Sequence, residues 1–199
     1  MYKRQSDGTK ELLKEYEDDI DIIICEPDTG IYDAMNKGIK AATGTWLNFM
    51  NAGDFFNCTE VLHKIPFQKY ADQVLIYGDT YRRDRDIVTK AESLDVVANR
   101  GEVMACHQSM FFNKPNLGAE LYYDDSLAYS GDSELITRMY AKKFPLQYVP
   151  YTIADYMGGG IASGGNIPWK NMWKARFSRL RYINKHFGLK GVVRVLLRK

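Results

Sequence analysis

The sequence is poor in cysteine, has no long hydrophobic run, and lacks acidic residues from position 156 onward. Its three cysteines, Cys25, Cys58 and Cys106, are an odd number without metal-ligand spacing, which excludes a disulfide scaffold and indicates a reducing compartment. No window approaches 18 consecutive apolar residues, so we expect no membrane-spanning helix. Residues 1–5 lack the apolar region of a secretory signal. With 45% hydrophobic and 26% charged residues, the composition indicates an ordinary globular protein.

The charge is distributed very unevenly along the 199 residues, a length that suits one domain. Residues 1–155 contain all 25 Asp and Glu and have a net charge of −8, whereas residues 156–199 contain ten Lys and Arg and no acid. A basic tail of this kind predicts contact with an anionic surface or ligand.

Hydrophobic periodicity predicts alternating helices and strands, which is typical of an α/β fold with a mostly parallel sheet and flanking helices. The predicted helices cover residues 9–18, 31–43, 132–143 and 167–187, and the predicted strands cover residues 20–25, 45–50, 74–77, 109–112 and 146–153. The isoleucine-rich run at 20–25 predicts a strand buried on both faces. Since ligands lie beyond the carboxyl ends of parallel strands, the loops at 26–30 and 51–54 are candidate binding segments.

Three polar positions have both a structural and a functional interpretation. Asp54 follows a predicted strand, and it is either a turn acid or helix cap, or an oxygen ligand for a divalent metal. Asp132 opens a predicted helix, and it is either the N-cap or a general base. His107, like Asp79 at the end of its own strand, is either a structural residue or a participant in chemistry. The glycines at 158–160 lack the spacing of a phosphate-binding loop.

The segment EPDTGIYDAMNKG at residues 26–38 resembles the signature of bacterial family 2 glycosyltransferases, which build capsule, exopolysaccharide and O-chain glycans. Further motifs of that family follow in the same order, so that the resemblance spans residues 6–163. They are ATG at 42–44, NAGD at 51–54, YGD at 77–79, CHQ at 106–108, GD at 131–132 and GGGIAS at 158–163.

This resemblance implies a GT-A fold and inverting transfer of a sugar from a nucleotide-sugar, with UDP preferred, to a hydroxyl of a growing, lipid-linked cell-surface glycan. Asp132 falls near the family's general base, and Asp54 would hold Mg²⁺ or Mn²⁺ on the diphosphate. Donor or acceptor contacts are implied for Glu26, Asp28, Tyr32, Asp33, Asn36, Lys37, Asn51, His107 and Gln108.

The sequence departs from the family pattern in two places. Asn51 and Gly53 replace the acids of the Asp-x-Asp motif, so Asp54 is the remaining anion and metal affinity is expected to be reduced or shared with the donor phosphates. Residues 6–9 match the tail of the family's first turn, so we expect residues 1–163 to form a GT-A domain without its first strand-helix-strand unit. The alternative is a truncated, catalytically silent domain that binds a saccharide or partner. An exposed sheet edge would favour a homodimer.

Residues 164–199 are predicted to form a basic amphipathic helical tail. Its apolar residues recur at helical spacing: Trp169, Met172, Trp173, Phe177, Leu180, Ile183 and Phe187. Lys170, Lys174, Arg181 and Lys185 lie mostly on another face. This pattern fits a helix on the anionic inner face of the plasma membrane, as a peripheral cytoplasmic protein, and equally a helix packed on the domain. No recognised nucleic-acid module accompanies the charge, so a nucleic-acid partner is not expected.

Overall fold

The computed structural model describes residues 8–127, 129–159 and 169–197, which form helices around one curved sheet. The helices are α1 Thr9–Glu15, α2 Ile31–Ala41, α3 Val61–Lys64, α4 Leu94–Ala98, α5 Lys114–Leu117, α6 Gly131–Ala141 and α7 Trp169–Leu196. The strands are β1 Trp46–Leu47, β2 Phe55–Phe56, β3 Leu75–Arg82, β4 Ile87–Thr89, β5 Met110–Asn113 and β6 Leu146–Tyr156. Short 3-10 turns lie at Glu17–Asp19, Phe67–Tyr70, His107–Ser109 and Gly118–Leu121.

The sheet is mixed, with the strand order β1-β5-β3-β6-β2 and with β4 paired to β3. The expected α/β class is confirmed, but the expectation of a mostly parallel sheet is wrong. Among the described strands only β3 and β6 pair in parallel, and the other four pairs are antiparallel. A parallel pair needs a long crossover, which α6 helps to provide between β3 and β6, whereas β4 follows β3 through a tight turn.

Gly78 allows the two central strands to approach each other. A Cβ atom at Gly78 would lie 2.6 Å from the carbonyl oxygen of Tyr151 and 2.8 Å from Cδ1 of Ile153. The register of β3 against β6 shifts on both sides of Asp79, which marks a bulge at this point. Any side chain at position 78 would therefore push the central strands apart.

The core lies on both faces of the sheet because successive residues of β3 point to opposite sides. Leu75 and Tyr77 belong to the larger apolar cluster, whereas Ile76 belongs to the smaller one. The larger cluster contains residues of α2 and α6, including Ile39 and Leu135. The smaller cluster includes Val61, Phe111, Val149 and Ile153. The larger cluster therefore holds α2 and α6 against one face of the sheet, and the smaller cluster packs α3 against the other.

The prediction of a buried strand at residues 20–25 is wrong. This stretch has no regular secondary structure, and Ile20, Ile22, Ile23 and Ile24 are 36–50% exposed. The run has the β-branched composition of a strand, but burial needs a neighbouring strand on each side. No strand within the described ranges pairs with it.

The C-terminal helix α7 packs on the domain through part of its predicted apolar stripe. Tyr182 and Ile183 are buried against Leu127, with Phe187 partly buried beside them. The helix is broken at Gly188, whose φ of 64° lies in the left-handed region, and the following segment returns Val192 to the same cluster.

Other apolar residues of α7 do not pack on the domain. Met172, Trp173 and Phe177 are exposed, so the predicted stripe is divided between a packed part and an exposed part. The side chains of Trp169 and Lys170 and the segment 160–168 lie outside the described residues. In the part of the chain that the structure describes, no helix is both long enough and apolar enough to span a bilayer.

Candidate active site

Asp54 is a buried carboxylate at one end of the sheet, directly before β2. Its side chain is 9% exposed, and both carboxylate oxygens accept hydrogen bonds. Gln108 donates from Nε2 to Oδ2 at 2.5 Å, and the backbone N–H of Met157 donates to Oδ1 at 3.0 Å. Asn48 fixes the partner segment by donating from Nδ2 to the carbonyl oxygens of Gln108 and Met110, each at 2.9 Å. The cap interpretation of Asp54 is wrong, because the N-cap of α3 is Glu60.

Asp132 lies in the first turn of α6 and faces His107. The two side chains approach to 3.5 Å between Asp132 Oδ2 and His107 Nδ1, and they form an ion pair when the imidazole is protonated. On the other side of the ring, His107 Nε2 lies 3.1 Å from Asn51 Nδ2. The N-cap of α6 is Ser130, so the interpretation of Asp132 as the cap is wrong and its carboxylate is available for another role.

The two oxygens of Asp132 have different surroundings. The side chain is 31% exposed, yet Oδ1 is fully buried and has no hydrogen bond of ordinary geometry within the described residues, although the buried phenol of Tyr123 interacts with this carboxylate. The exposure of the carboxylate therefore belongs to the Oδ2 side, which is also the side that faces His107. A buried carboxylate oxygen without a hydrogen bond of ordinary geometry is unusual, and such groups concentrate at functional sites.

Two stacked tyrosines lie beneath the start of α6. The rings of Tyr32 and Tyr123 are 5.1 Å apart, and a Cβ atom at Gly131 would lie 2.6 Å from the ring of Tyr32. Burial, and then the negative charge of Asp132, raise the pKa of both phenols above the ordinary value for tyrosine. Gly131 is therefore required for the close contact that places Asp132 above this stack.

The charged groups in residues 26–38 largely satisfy one another. Lys37 Nζ lies 3.0 Å from Glu26 and 3.4 Å from Asp33, and it donates to the carbonyl oxygen of Pro27 at 2.7 Å. The N–H of Thr29 donates to Asp33 at 2.8 Å, and this bond, followed by the contact with Lys37, lowers the pKa of Asp33. The segment thus forms a self-contained network that ties the loop to α2.

Asn36 and Asp28 belong to the same segment but do not take part in that network. Asn36 pairs with the backbone of Tyr123 in both directions, accepting from its N–H at 2.9 Å and donating to its carbonyl oxygen at 3.0 Å. Asp28 is half-buried, and its Oδ1 has no partner in the described part of the chain. The expected role of residues 26–37 in contacting a donor stays a prediction.

Asp79 is a structural residue. It is 1% exposed and is held by Lys90 Nζ at 2.7 Å, by the N–H of Ala91 at 3.0 Å and by Tyr148 Oη at 3.0 Å. These contacts join the two central strands to the segment after β4. No sequence signal singled out Asn48, Tyr123 or the backbone of Met157, because each comes from a distant part of the chain.

The described residues do not by themselves fit a metal site. No group of three or more His, Cys, Asp or Glu able to hold a metal ion occurs among them. Asp54 offers a single carboxylate, and both of its oxygens are already hydrogen-bonded to Gln108 and Met157. A divalent cation needs more oxygen ligands than this arrangement leaves open.

The sequence of the chain is similar to those of known glycosyltransferases. The glycosyl transferase family 2 model matches residues 4–122. The chain is 28% identical over 147 residues to a PGL/p-HBAD biosynthesis glycosyltransferase of Mycobacterium bovis, and equally to one of Mycobacterium tuberculosis. Each alignment covers 71% of this chain and 57% of the relative.

Solved structures show the same fold at low sequence identity. Residues 1–349 of S. aureus TarS, solved in complex with UDP-GlcNAc, superpose with a TM-score of 0.69 at 12% identity, covering 96% of this chain and 60% of TarS. The mannosyltransferase PcManGT of Pyrobaculum calidifontis, in complex with GDP-Man and Mn²⁺, gives a TM-score of 0.51 at 13% identity, covering 92% of this chain and 51% of PcManGT. These similarities confirm the expected GT-A fold. Since the family model matches more than half of its residues, the chain belongs to glycosyl transferase family 2.

Proposed function

We propose that this chain catalyses the inverting transfer of a sugar from a nucleotide-sugar donor to an acceptor hydroxyl, with Asp132 as the general base. The observation that carries the proposal is the position of Asp132, whose carboxylate is partly exposed beside His107 while its other oxygen is buried. A general base must be reachable by the hydroxyl that it deprotonates.

In this proposal the proton goes to one oxygen of Asp132. Asp132 Oδ2 accepts the hydroxyl proton because Oδ1 is enclosed. The acceptor oxygen forms its bond to the anomeric carbon as the bond from that carbon to the diphosphate breaks, and the configuration inverts. His107, beside Oδ2 and held from behind by Asn51, orients the carboxylate and stabilises its charge.

The proposed donor is a UDP-sugar. Support comes from the fold shared with TarS, which was solved with UDP-GlcNAc and with UDP. The structure puts a condition on the expected role of Asp54 toward Mg²⁺ or Mn²⁺. Gln108 and Met157 each use one lone pair of this carboxylate, so Asp54 can offer a remaining lone pair to the cation, and other ligands would have to come from the donor.

The acceptor, location and assembly are also part of the proposal. We propose a lipid-linked glycan acceptor and a peripheral position on the inner face of the membrane. Support comes from the basic C-terminal region and its exposed Met172, Trp173 and Phe177. Homodimer formation is supported by the exposed isoleucines of residues 20–25, which a second copy of the chain would cover. The catalytically silent alternative is supported by Asn51 and Gly53, which leave Asp54 as the one carboxylate of its motif.

A comparison of Asp132→Asn with Asp125→Asn tests the proposal. Asp125 is exposed and lies outside the site, so it controls for the loss of one carboxylate. We expect Asp132→Asn to reduce transfer from a panel of UDP-sugars by roughly 10²–10⁴-fold while the Kd for UDP stays within about twofold. Asp125→Asn should match the wild type.

Transfer at the wild-type rate by Asp132→Asn would refute the assignment of the base. A wild-type chain that binds UDP but transfers none of the panel sugars would favour the silent alternative.

A further inference from the structure

A cavity of about 890 Å³ lies between α7 and the rest of the domain, away from Asp54. The segment after α4, the start of α6 and both parts of the broken helix α7 form its walls. This volume is within the range of about 300–1,000 Å³ that is typical of small-molecule sites. Two residues of its wall, Ser130 and Ser133, flank Asp132, so the cavity adjoins the proposed active site from the side of α7.

The cavity has an excess of cations. Arg100, Arg176, Arg179 and Arg194 line it, whereas Glu102 is its only acidic residue among the described lining residues. Glu102 is already engaged by Arg179 at 2.9 Å. Three of the four arginines belong to the acid-free C-terminal region, so part of the positive charge of that region lies in this cavity.

Three of these guanidinium groups have unused hydrogen-bonding capacity toward an anion. Arg176 is exposed and has no partner within the described residues. Arg194 contacts the neutral side-chain oxygen of Asn99 at 2.5 Å and has no acidic partner there. Arg100 lies 3.7 Å or more from its acidic neighbours, and its buried Nε has no hydrogen-bond acceptor in the described part of the chain. Guanidinium groups in this number favour a phosphate, which accepts bidentate bonds.

Part of the remaining wall is apolar, beside the polar Asn99, Ser130 and Ser133. The apolar part contains Met172, Trp173, Leu180, Val195 and Leu196. Trp173 is 59% exposed at the mouth of the cavity, and Met172 beside it is 60% exposed. An unpartnered apolar surface of this kind is stabilised by contact with a hydrocarbon chain.

We infer that this cavity binds a lipid phosphate, that is, a phosphate ester that carries a long hydrocarbon chain. The arginines hold the phosphate, and the wall around Trp173 and Leu196 receives the first part of the chain. A nucleic acid fits less well, because of the two aromatic residues in the wall only Trp173 is exposed for stacking, whereas Tyr182 is buried. Binding at this site does not depend on the proposed transfer reaction, and its test reads binding alone.

Calorimetric titration of the full chain with octyl phosphate, below its micelle concentration, tests the inference. We expect octyl phosphate to bind at least about 10-fold more tightly than inorganic phosphate and than octyl glucoside, which carries the same chain without charge. Equal affinity for octyl phosphate and inorganic phosphate would overturn the inference, since it would show a site for free anions. Tighter binding of a single-stranded oligonucleotide than of octyl phosphate would overturn it as well.

Matched variants on α7 locate the binding. Arg176→Gln should weaken octyl phosphate about 10-fold, whereas Arg181→Gln, an exposed arginine of the same helix outside the cavity, should leave binding unchanged. Trp173→Ser should remove most of the preference for the octyl chain, and Phe177→Ser, also exposed on α7 but outside the cavity, should not. All four side chains are exposed, so we expect the variants to fold like the wild type. An unchanged melting temperature would verify this.

Vesicles extend the test to membrane lipids. The wild type should co-sediment with vesicles that contain phosphatidic acid and not with pure phosphatidylcholine, and Arg176→Gln should lose more of that binding than Arg181→Gln. Equal losses for the two variants would indicate a general attraction to negative charge and would contradict a defined site.

Discussion

Two parts of the candidate site differ in whether their charged side chains have partners within the protein. In residues 26–38 the charges of Glu26, Asp33 and Lys37 meet one another within a few residues. At the start of α6, Asp132 keeps one oxygen buried without a hydrogen bond of ordinary geometry and directs the other toward His107. A segment whose charges are internally satisfied serves mainly as a scaffold, whereas a carboxylate left unsatisfied at a cleft is suited to chemistry.

The first way to sharpen this comparison is to remove the neighbour of the proposed base. We expect His107→Ala to lower kcat by about 10²-fold, because Asp132 loses the group that orients it. The Kd for UDP should change little, since His107 acts here on the carboxylate. Steady-state kinetics with a UDP-sugar and calorimetry with UDP measure the two quantities. An equal loss in both would show that His107 contacts the donor instead.

A second change disturbs the support beneath Asp132. Gly131→Ala places a Cβ atom 2.6 Å from the ring of Tyr32, and we expect a loss of about 1–3 kcal/mol in the free energy of unfolding. Gly38→Ala is the control, because Gly38 lies inside α2 with open space around its Cα and should gain about 0.5–1 kcal/mol. Urea denaturation compares the two variants. Equal stability of Gly131→Ala and the wild type would contradict the tight contact with Tyr32.

The smallest effect is expected in the charged network. Lys37→Met removes the shared cation of Glu26 and Asp33, but solvent screens these charges, so we expect only a small decrease in melting temperature. The rate of transfer should fall less than for His107→Ala. Thermal melts and the same kinetic assay provide the measurement. A larger loss of activity than for His107→Ala would reverse the roles of the two regions.

The sequence predicted local elements well and long-range pairing poorly. The helices α2 and α6 were predicted close to their observed bounds, since their periodicity depends on neighbouring residues. The run at residues 20–25 was misassigned, because burial of a strand depends on partners that composition does not reveal. The antiparallel arrangement of most strand pairs was missed for the same reason.

The sequence identified the residues of the candidate site, but it did not predict which of them contact one another. Asp54, His107, Gln108 and Asp132 were all singled out from motifs. Their pairing, Gln108 with Asp54 and His107 with Asp132, joins segments that lie far apart in the chain, and so it required the fold. The motif at residues 26–38 drew attention as a binding segment, and the structure gives most of its polar groups partners within the protein.

The anomeric configuration of the product tests the central claim most directly. A single base at Asp132 deprotonating the acceptor implies one displacement at the anomeric carbon, so transfer from a UDP-α-sugar should give a β-linked product. Proton NMR of the purified product distinguishes the two anomers through their coupling constants. A β-linked product supports the account, whereas an α-linked product would require a second displacement and would contradict Asp132 as the base of a direct transfer.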